Sequence, residues 1–487
     1  MTRISVFLAV LLALAIHPSD MAEAAPNDVA PYIAVQAPTV ILARVTIIDG
    51  TGAAAIADRN IVIERGKIAR IEPGSDPAAV PGTTVLNLRG HSVMPGIVGM
   101  HNHLYYIARP NLTPGRQPPF EAPLVLPQVM FSAPRLYLAA GVTTMRTTGS
   151  IEPYADLNLR DQIEAGMLVG PHIDATAPYL QGVNPLFIQM HQLKSPEEAR
   201  QFVDYWASAG ATSFKAYMHI TRAELKAAID AAHRHGLKVT GHLCSVTYPE
   251  AAELGIDNLE HGFTVNTQLD PGKQPDACTE SAGDATLLAM DPDGPEAAKL
   301  FALLVKHHVA VTSTLPVMEG RVPGRPPLQA RVMNAMTPQA RTDYLYSRTR
   351  RLENPVPETA VMWAHMLKME RNFVAAGGLL LAGPDPTGNG GVLPGFGDQR
   401  EIELLVEAGF TPVEAIRIAT LNGAIYEGRQ ASIGSIEAGK NADLVVIKGD
   451  PAQHIADIEN TEIVFKDGVG YDSKKLIDSV AGRYGQY

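Results

Sequence analysis

The chain is short of cysteine: only Cys244 and Cys278 occur in 487 residues. Two cysteines cannot build a disulfide framework. They leave either one bridge or two free thiols open. Cys244 stands two residues past His242, where it reads as a small buried side chain ahead of a thiol nucleophile. Long apolar runs are also missing, and beyond the N-terminus none approaches the ~20 residues a membrane helix needs. Basic charge is scarce. Forty Lys and Arg face fifty-one Asp and Glu, a net charge of -11. With no basic stripe to contact phosphates, a nucleic-acid partner is excluded.

What is present is a folded composition, 46% hydrophobic and 19% charged, long enough for a large domain plus a second unit. The first residues form a targeting segment. Arg3 supplies the positive end, Val6 to Ile16 the apolar run, and Ala22-Glu23-Ala24 a small-x-small cleavage site before Pro26. Residues 1–24 are therefore expected to be a signal peptide. The mature protein is expected to be secreted or periplasmic, with no stable membrane association.

Residues from about Thr39 to Ser92 read as short β-branched strands. They are punctuated by Asp49-Gly50, Arg65-Gly66 and Pro73-Gly74. Ala442–Ile447 and Thr461–Phe465 resume the style near the other end. The spacing predicts one small β-sandwich domain from residues 25–95 and 430–487. Residues 96–429 alternate strands with helices such as Arg222–His235, and Thr411-Pro412-Val413-Glu414 reads as a helix start. The strand candidates are Ile97–His103, Val142–Thr148, His172–Thr176, Thr212–Met218, Lys238–His242, Asn258–His261, Ala310–Leu315 and Leu379–Asp385. Eight strands with crossover helices predict an α/β fold, a (β/α)8 TIM-like barrel with its chemistry at the C-terminal strand ends. Two long connections, Thr264–Glu296 and Leu315–Thr359, leave those ends and are expected to face substrate as a lid.

Six residues converge on that end: His101, His103, Lys215, His242, His261 and Asp385. His101 and His103 are i and i+2, which share a face on a strand and can share a metal. Histidines and carboxylates bind zinc or a similar cation, and an open position activates water. An ammonium cannot ligate a metal. A buried Lys215 of lowered pKa can instead react with CO2 to give an anionic carbamate that bridges two ions. His101, His103 and Asp385 are then expected to hold one metal, and His242 and His261 the other. Carboxylated Lys215 lies between them, and a hydroxide there attacks the carbonyl. Asp385 takes its proton and passes it to the leaving group. Singly each residue has a bland reading, as core histidine, surface lysine or turn aspartate; jointly and in order they indicate a site.

Four other residues are candidates. Tyr217 shares the face of Lys215 and is placed to stabilise an oxyanion, as catalytic group or substrate contact. His172, in the strand that follows Gly170-Pro171, would contact substrate or orient a ligand. Arg321 and Arg325 would bind a substrate carboxylate.

The chain resembles the amidohydrolase superfamily over nearly all of its mature length. The matching segments are Met94-Pro95-Gly96-Ile97-Val98-Gly99-Met100-His101-Asn102-His103, Ala140–Arg146, Phe214-Lys215-Ala216-Tyr217, Val239-Thr240-Gly241-His242, Asn258-Leu259-Glu260-His261-Gly262, Gly383-Pro384-Asp385 and Ile433–Val446. The resemblance implies a metal-dependent barrel hydrolase. The lysine on the fourth strand points to the binuclear branch of prolidase-like dipeptidases and carboxypeptidase-type amidases, and away from mononuclear deaminases. The departures are Thr147, where many relatives carry Asp, and the prolines Pro384 and Pro386 flanking Asp385. The expected substrate is a small amide, a dipeptide or an N-acyl amino acid. A cyclic amide, imide or lactone, or a deaminated ring, would use the same site, and a non-catalytic binding barrel is the alternative of another kind. Zinc is the default metal. A homo-oligomer is left open.

Overall fold

A computed structural model describes residues 28–78, 80–107, 126–386 and 391–485. The expected signal peptide, residues 1–24, lies outside them. Among the described residues no helix is long and apolar enough to cross a membrane.

The two β-rich ends do meet. The N-terminal part supplies β1 (Ile33–Val35), β2 (Thr39–Ile47), β3 (Ile56–Glu64), β4 (Lys67–Pro73), β5 (Thr83–Asn87) and β6 (His91–Pro95). The central block supplies β7 (Ile97–Gly99), β8 (Val142–Arg146), β9 (His172–Asp174), β10 (Ser213–Ala216), β11 (Lys238–Gly241), β12 (Asn258–Glu260), β13 (Ala310–Ser313) and β14 (Leu380–Ala382). The C-terminal part adds β15 (Leu444–Lys448), β16 (Thr461–Lys466) and β17 (Val469–Asp472). Nine strands form one sheet in the order β1-β17-β16-β15-β6-β2-β3-β4, with β5 beside β2. The junction is β6 against β15, antiparallel, with Val93 opposite Val446 and Met94 opposite Val445. Strand periodicity then divides the side chains between two cores. Val93, Leu444, Val446 and Phe465 join the apolar cluster of the sheet itself. Their neighbours Met94, Val445, Ile447 and Val464 pack into the core of the central block. The runs at Val40 and Val45 are one strand, not two. Arg44 at φ +66° shifts the register between them, and its guanidinium pairs with Asp58 at 2.9 Å.

All eight strands expected of the central block form, each shorter than its apolar run. They make parallel sheets of three (β7-β8-β9) and five (β10 to β14) strands. A parallel bridge between Thr176 and Ser213 links the two at one side. At the other, Met100 N–H donates to Ala382 O at 2.8 Å. Gly383 makes that approach feasible: a Cβ there would lie 2.3 Å from the His101 nitrogen. Helices between the strands carry the expected caps. Thr221 accepts from Glu224 N–H at 3.2 Å while Glu224 accepts from Thr221 N–H at 2.9 Å, starting Arg222–Arg234. That helix buries Leu225, Ala228, Ile229 and Ala232, the face its spacing predicted.

The two long connections contain helices of their own: Asp284–Ala289 in the first, and Leu315–Glu319, Ala330–Ala335 and Pro338–Glu353 in the second. The first connection is also stapled. Cys244 and Cys278 form a disulfide with Cα atoms 4.9 Å apart. The free-thiol and nucleophile readings of Cys244 are thereby overturned: its sulfur is bonded, and it anchors residue 278 of the connection to the end of β11.

Candidate metal centre

The site is built where β7, β10, β11, β12 and β14 stop. Lys215 lies within β10, while His242 and His261 are the first residues past β11 and β12. His101 and His103 fall two and four residues beyond β7, so strand alternation is not what pairs them. The turn after β7 brings their rings to 5.2 Å, T-shaped. His261 (φ +66°) and Asp385 (φ +51°) both adopt left-handed backbone. Residues with a Cβ enter that region at a cost of about 1–2 kcal/mol. The turn redirects each side chain out of its strand, and Asp385 N–H donating to His101 O at 3.1 Å holds the second in place.

The side chains converge. A ring nitrogen of His101, one of His103 and an oxygen of Asp385 all lie within 4.8 Å of one another. His103 Nε2 is 3.3 Å from Asp385 Oδ1, and His261 Nδ1 is 3.8 Å from Asp385 Oδ2. Lys215 Nζ lies 3.3 Å from His101 Nε2. The His261 ring stands 4.7 Å from His101 and 4.4 Å from His242. Every one of the six expected residues is here; His101, His103, Lys215 and His261 are under 5% exposed, Asp385 is at 9% and His242 is half-buried, so water screens the fields among the first four only weakly.

Burial decides protonation. It pushes the His103 pKa down to about 4, and burial with the adjacent Lys215 charge takes His242 to about 3. His101 and His261 are lowered for the same reason, burial first. Four imidazoles therefore offer lone pairs at neutral pH. Burial lowers Lys215 to about 8, which makes a reactive neutral amine accessible. Burial opposes ionisation of Asp385, yet His101, His103 and His261 hold its pKa well below the usual carboxylate range. His261 Nε2 and His103 Nδ1 are buried with no hydrogen-bond partner. Neutral imidazoles, an ionised carboxylate and orphaned ring nitrogens around one point are the donor set a divalent cation needs.

One residue that the sequence did not single out orients His101 within the cluster. Glu260 is fully buried and accepts from His101 Nδ1–H at 2.7 Å and from Arg146 at 2.8 Å. Burial would raise its pKa, but His101 and Arg146 bring it down to about 2. As an ionised acceptor it keeps the His101 proton on Nδ1 and leaves Nε2 to face the site. Arg146 also donates to Met100 O at 2.9 and 2.6 Å, tying the turn that carries His101. The available signal was a charged residue inside an apolar strand, directly before a candidate ligand.

The secondary candidates divide. Tyr217 lines the cleft, its ring 5.0 Å from His242, and burial keeps its hydroxyl protonated. Arg321 lines the cleft on both sides of Tyr217. Arg325 is not available as a substrate contact: it is paired with Glu319 and Glu407 at 2.7 Å and lies over the Trp363 ring. His172 is also corrected. As in the strand expected over His172–Thr176, it begins β9, and for that reason it sits at the opposite end from the six-residue cluster. There it bridges Glu164 at 2.7 Å and Asp467 at 3.1 Å, joining the central block to the nine-stranded sheet. Pro384 and Pro386 do not displace Asp385; Pro386 O accepts from Tyr484 at 3.1 Å.

The profile of the amidohydrolase family matches residues 92–308 and 392–469. No functionally curated protein sequence matches the chain significantly. Among solved structures, a prolidase candidate from Bifidobacterium longum is 24% identical, with TM-score 0.64, over 91% of this chain and 99% of that one. A Xaa-Pro dipeptidase with methionine bound in its active site is 22% identical, with TM-score 0.64, over 89% and 100%. A bottromycin amidohydrolase is 21% identical, with TM-score 0.66, over 94% of each chain.

Proposed function

The chain belongs to the amidohydrolase family, and from that membership we propose an exported hydrolase with two metal ions that cleaves the amide of a dipeptide or N-acyl amino acid. Hydrolysis of amide or peptide C–N bonds follows from the family itself. The pair of metals, the substrate type and export are the proposal. The observation that carries it is the meeting of His101, His103, Lys215, His242, His261 and Asp385 in one cluster, all buried but the half-buried His242.

In this reading β7 to β14 close into a (β/α)8 barrel, and the six side chains hang from its C-terminal rim. His101, His103 and Asp385 would hold one ion, and His242 and His261 the other. The neutral amine of Lys215 would add CO2, releasing a proton, and the resulting carbamate would supply an anionic ligand to the same centre. Zinc suits these donors. When bound, the ions supply Lewis acidity toward the carbonyl and lower the pKa of a water. The chain's own residues do the rest. Asp385 takes a proton from the attacking water at a carboxylate oxygen and delivers it to the leaving nitrogen. The Tyr217 hydroxyl donates to the carbonyl oxygen as negative charge builds there. Glu260 holds the His101 tautomer. Export is supported by the leader pattern of residues 1–24 and by the Cys244–Cys278 disulfide, which suits an oxidising compartment.

Two measurements test this. Purified protein with added metal is screened by mass spectrometry against dipeptides, N-acyl amino acids, cyclic imides and lactones. Cleavage of acyclic amides is expected; opening of rings alone would overturn the substrate reading. Lys215→Ala should lose metal and more than about 100-fold of activity, exceeding the loss of an outer partner. Full activity in that variant would refute the bridging role.

A further inference from the structure

The cleft at the metal ligands has two lobes of opposite chemistry. The first, a cavity of about 330 Å3, opens beside His242. Its wall carries four thioethers, Met218, Met318, Met362 and Met366, with Trp363 and Leu287. Methionine and indole make a deformable apolar surface that accepts varied apolar shapes. Leu186, 41% exposed, extends this surface to the mouth. The second lobe, about 230 Å3, contains Asp385 and is rich in arginine. There Arg325 is neutralised by Glu319 and Glu407. Arg348 is not: its guanidinium donates to the carbonyls of Arg325 and Pro326 at 2.8 and 3.3 Å, and it pairs with no carboxylate among the described residues. Arg321 stands where the lobes meet, beside Tyr217; it makes no ion pair within 4 Å among the described residues, although the carboxylate of Asp284, at the rim of the thioether lobe, feels its charge.

The geometry points to a substrate with two unlike ends: a bulky apolar acyl group in the thioether lobe, and an amino-acid leaving group whose free carboxylate meets Arg321. The orientation rests on the proposed amide hydrolysis. If Asp385 protonates the leaving nitrogen, the amine half lies on the Asp385 side, which is the arginine lobe. The acyl half then lies on the His242 side, which is the thioether lobe. At about 330 Å3 the thioether lobe is at the small end of small-molecule sites, enough for one aryl or medium-chain acyl group and not for a long peptide. The long second connection carries Arg321 and Met318, and the first carries Leu287, so both connections write this specificity.

The test compares N-octanoylglycine, N-acetylglycine and N-octanoylglycinamide with the metal-loaded enzyme. Octanoylglycine should exceed acetylglycine in kcat/KM by about 10–150-fold, the worth of burying one large apolar group. It should exceed the carboxamide by about 10–100-fold, the worth of a charged hydrogen bond. Arg321→Gln should collapse the second ratio and leave the first. Thr359→Trp, at the edge of the thioether lobe, should collapse the first and leave the second. Ratios within one variant are insensitive to partial misfolding. A separate readout is binding of octanoylglycine to Asp385→Asn, followed by fluorescence of Trp363; the other tryptophan, Trp206, packs against Tyr205 in a helix outside the lobes. Quenching that Thr359→Trp shifts supports the lobe assignment even if no amide is cleaved, an outcome that overturns only the amide reading. Equal rates for octanoyl and acetyl substrates would overturn the inference. So would a preference carried by the amine side chain alone, or no fluorescence response.

Discussion

Replacing Glu260 by glutamine tests the network behind the histidines. Its carboxylate accepts from His101 Nδ1, from Arg146, from Asn258 at 3.2 Å and from Thr240. Glutamine keeps one acceptor oxygen and gains an NH2 that must face one of these donors. It also leaves Arg146, 1% exposed, as an unpaired buried cation. Breaking such a pair from one side costs about 3–5 kcal/mol. Arg146→Met should cost a similar amount, because it strands the anion. The double variant removes both charges, and Met100 O keeps a donor in Thr148 at 2.9 Å. Its loss should therefore fall short of the sum of the singles by about 2–3 kcal/mol. Metal affinity should behave differently. Glu260→Gln loosens the tautomer and orientation of His101, at about 10–100-fold in affinity, and removing Arg146 does not restore it. Urea unfolding of the chelated proteins measures the first effect, and competition with a metal indicator the second. Additive stabilities within about 0.5 kcal/mol, or an unchanged metal affinity in Glu260→Gln, would refute the reasoning.

The metal-free protein should lose stability in acid. His103 titrates at about 4 folded and near 6.5 unfolded, so the unfolded chain binds protons first. The contribution is complete above about pH 6.5 and shrinks as pH falls toward 4, roughly 3 kcal/mol from His103 alone; a urea midpoint flat from pH 7 to 4 would contradict it. Glu370 behaves oppositely, since burial raises its pKa to about 8 and stability declines as pH climbs from 4.5 toward 8. Glu370→Gln should flatten that alkaline decline. Reducing the disulfide reopens a loop of 34 residues and should cost about 3–4 kcal/mol. The cost should appear as a lower urea midpoint and faster hydrogen exchange in residues 264–289. Burial disfavours the His172 cation, but Asp467 and Glu164 outweigh it and raise its pKa to about 9. His172→Gln should thus destabilise below pH 6.5 more than above pH 9, with kcat unchanged; a lost kcat would return His172 to the site.

The eight central strands were legible as short apolar runs, and five of the six clustered residues because each stands at or just past such a run; Lys215 lies inside β10. The joining of the two β-rich ends was legible from matching strand style, but the seam itself, β6 against β15, was not. What escaped the sequence depended on direction and pairing. His172 was read as a site residue although it opens its expected strand, and the first residue of a parallel strand lies at the opposite end from the last. Arg325 and Arg321 look alike in the same loop; Glu407, more than eighty residues away, captures one of them. Glu260 is a lone charge in a buried strand, and its purpose becomes visible only when His101 and Arg146 arrive from two other strands. The two cysteines gave no pairing signal, because proximity across a connection is not written in its length.

The seam between β6 and β15 carries a consequence for how the protein is made. Strand β6 is synthesised about 350 residues before its partner. At 5–20 residues per second the ribosome needs roughly 20–70 s to deliver it. Through that interval the edge of β6 that will meet β15 is a bare row of amides and carbonyls, the template on which strands of other chains assemble. A nascent chain of this topology is expected to need shielding until residues 444–448 emerge. Truncation near residue 440 should therefore yield insoluble protein even though every residue of the metal cluster is present.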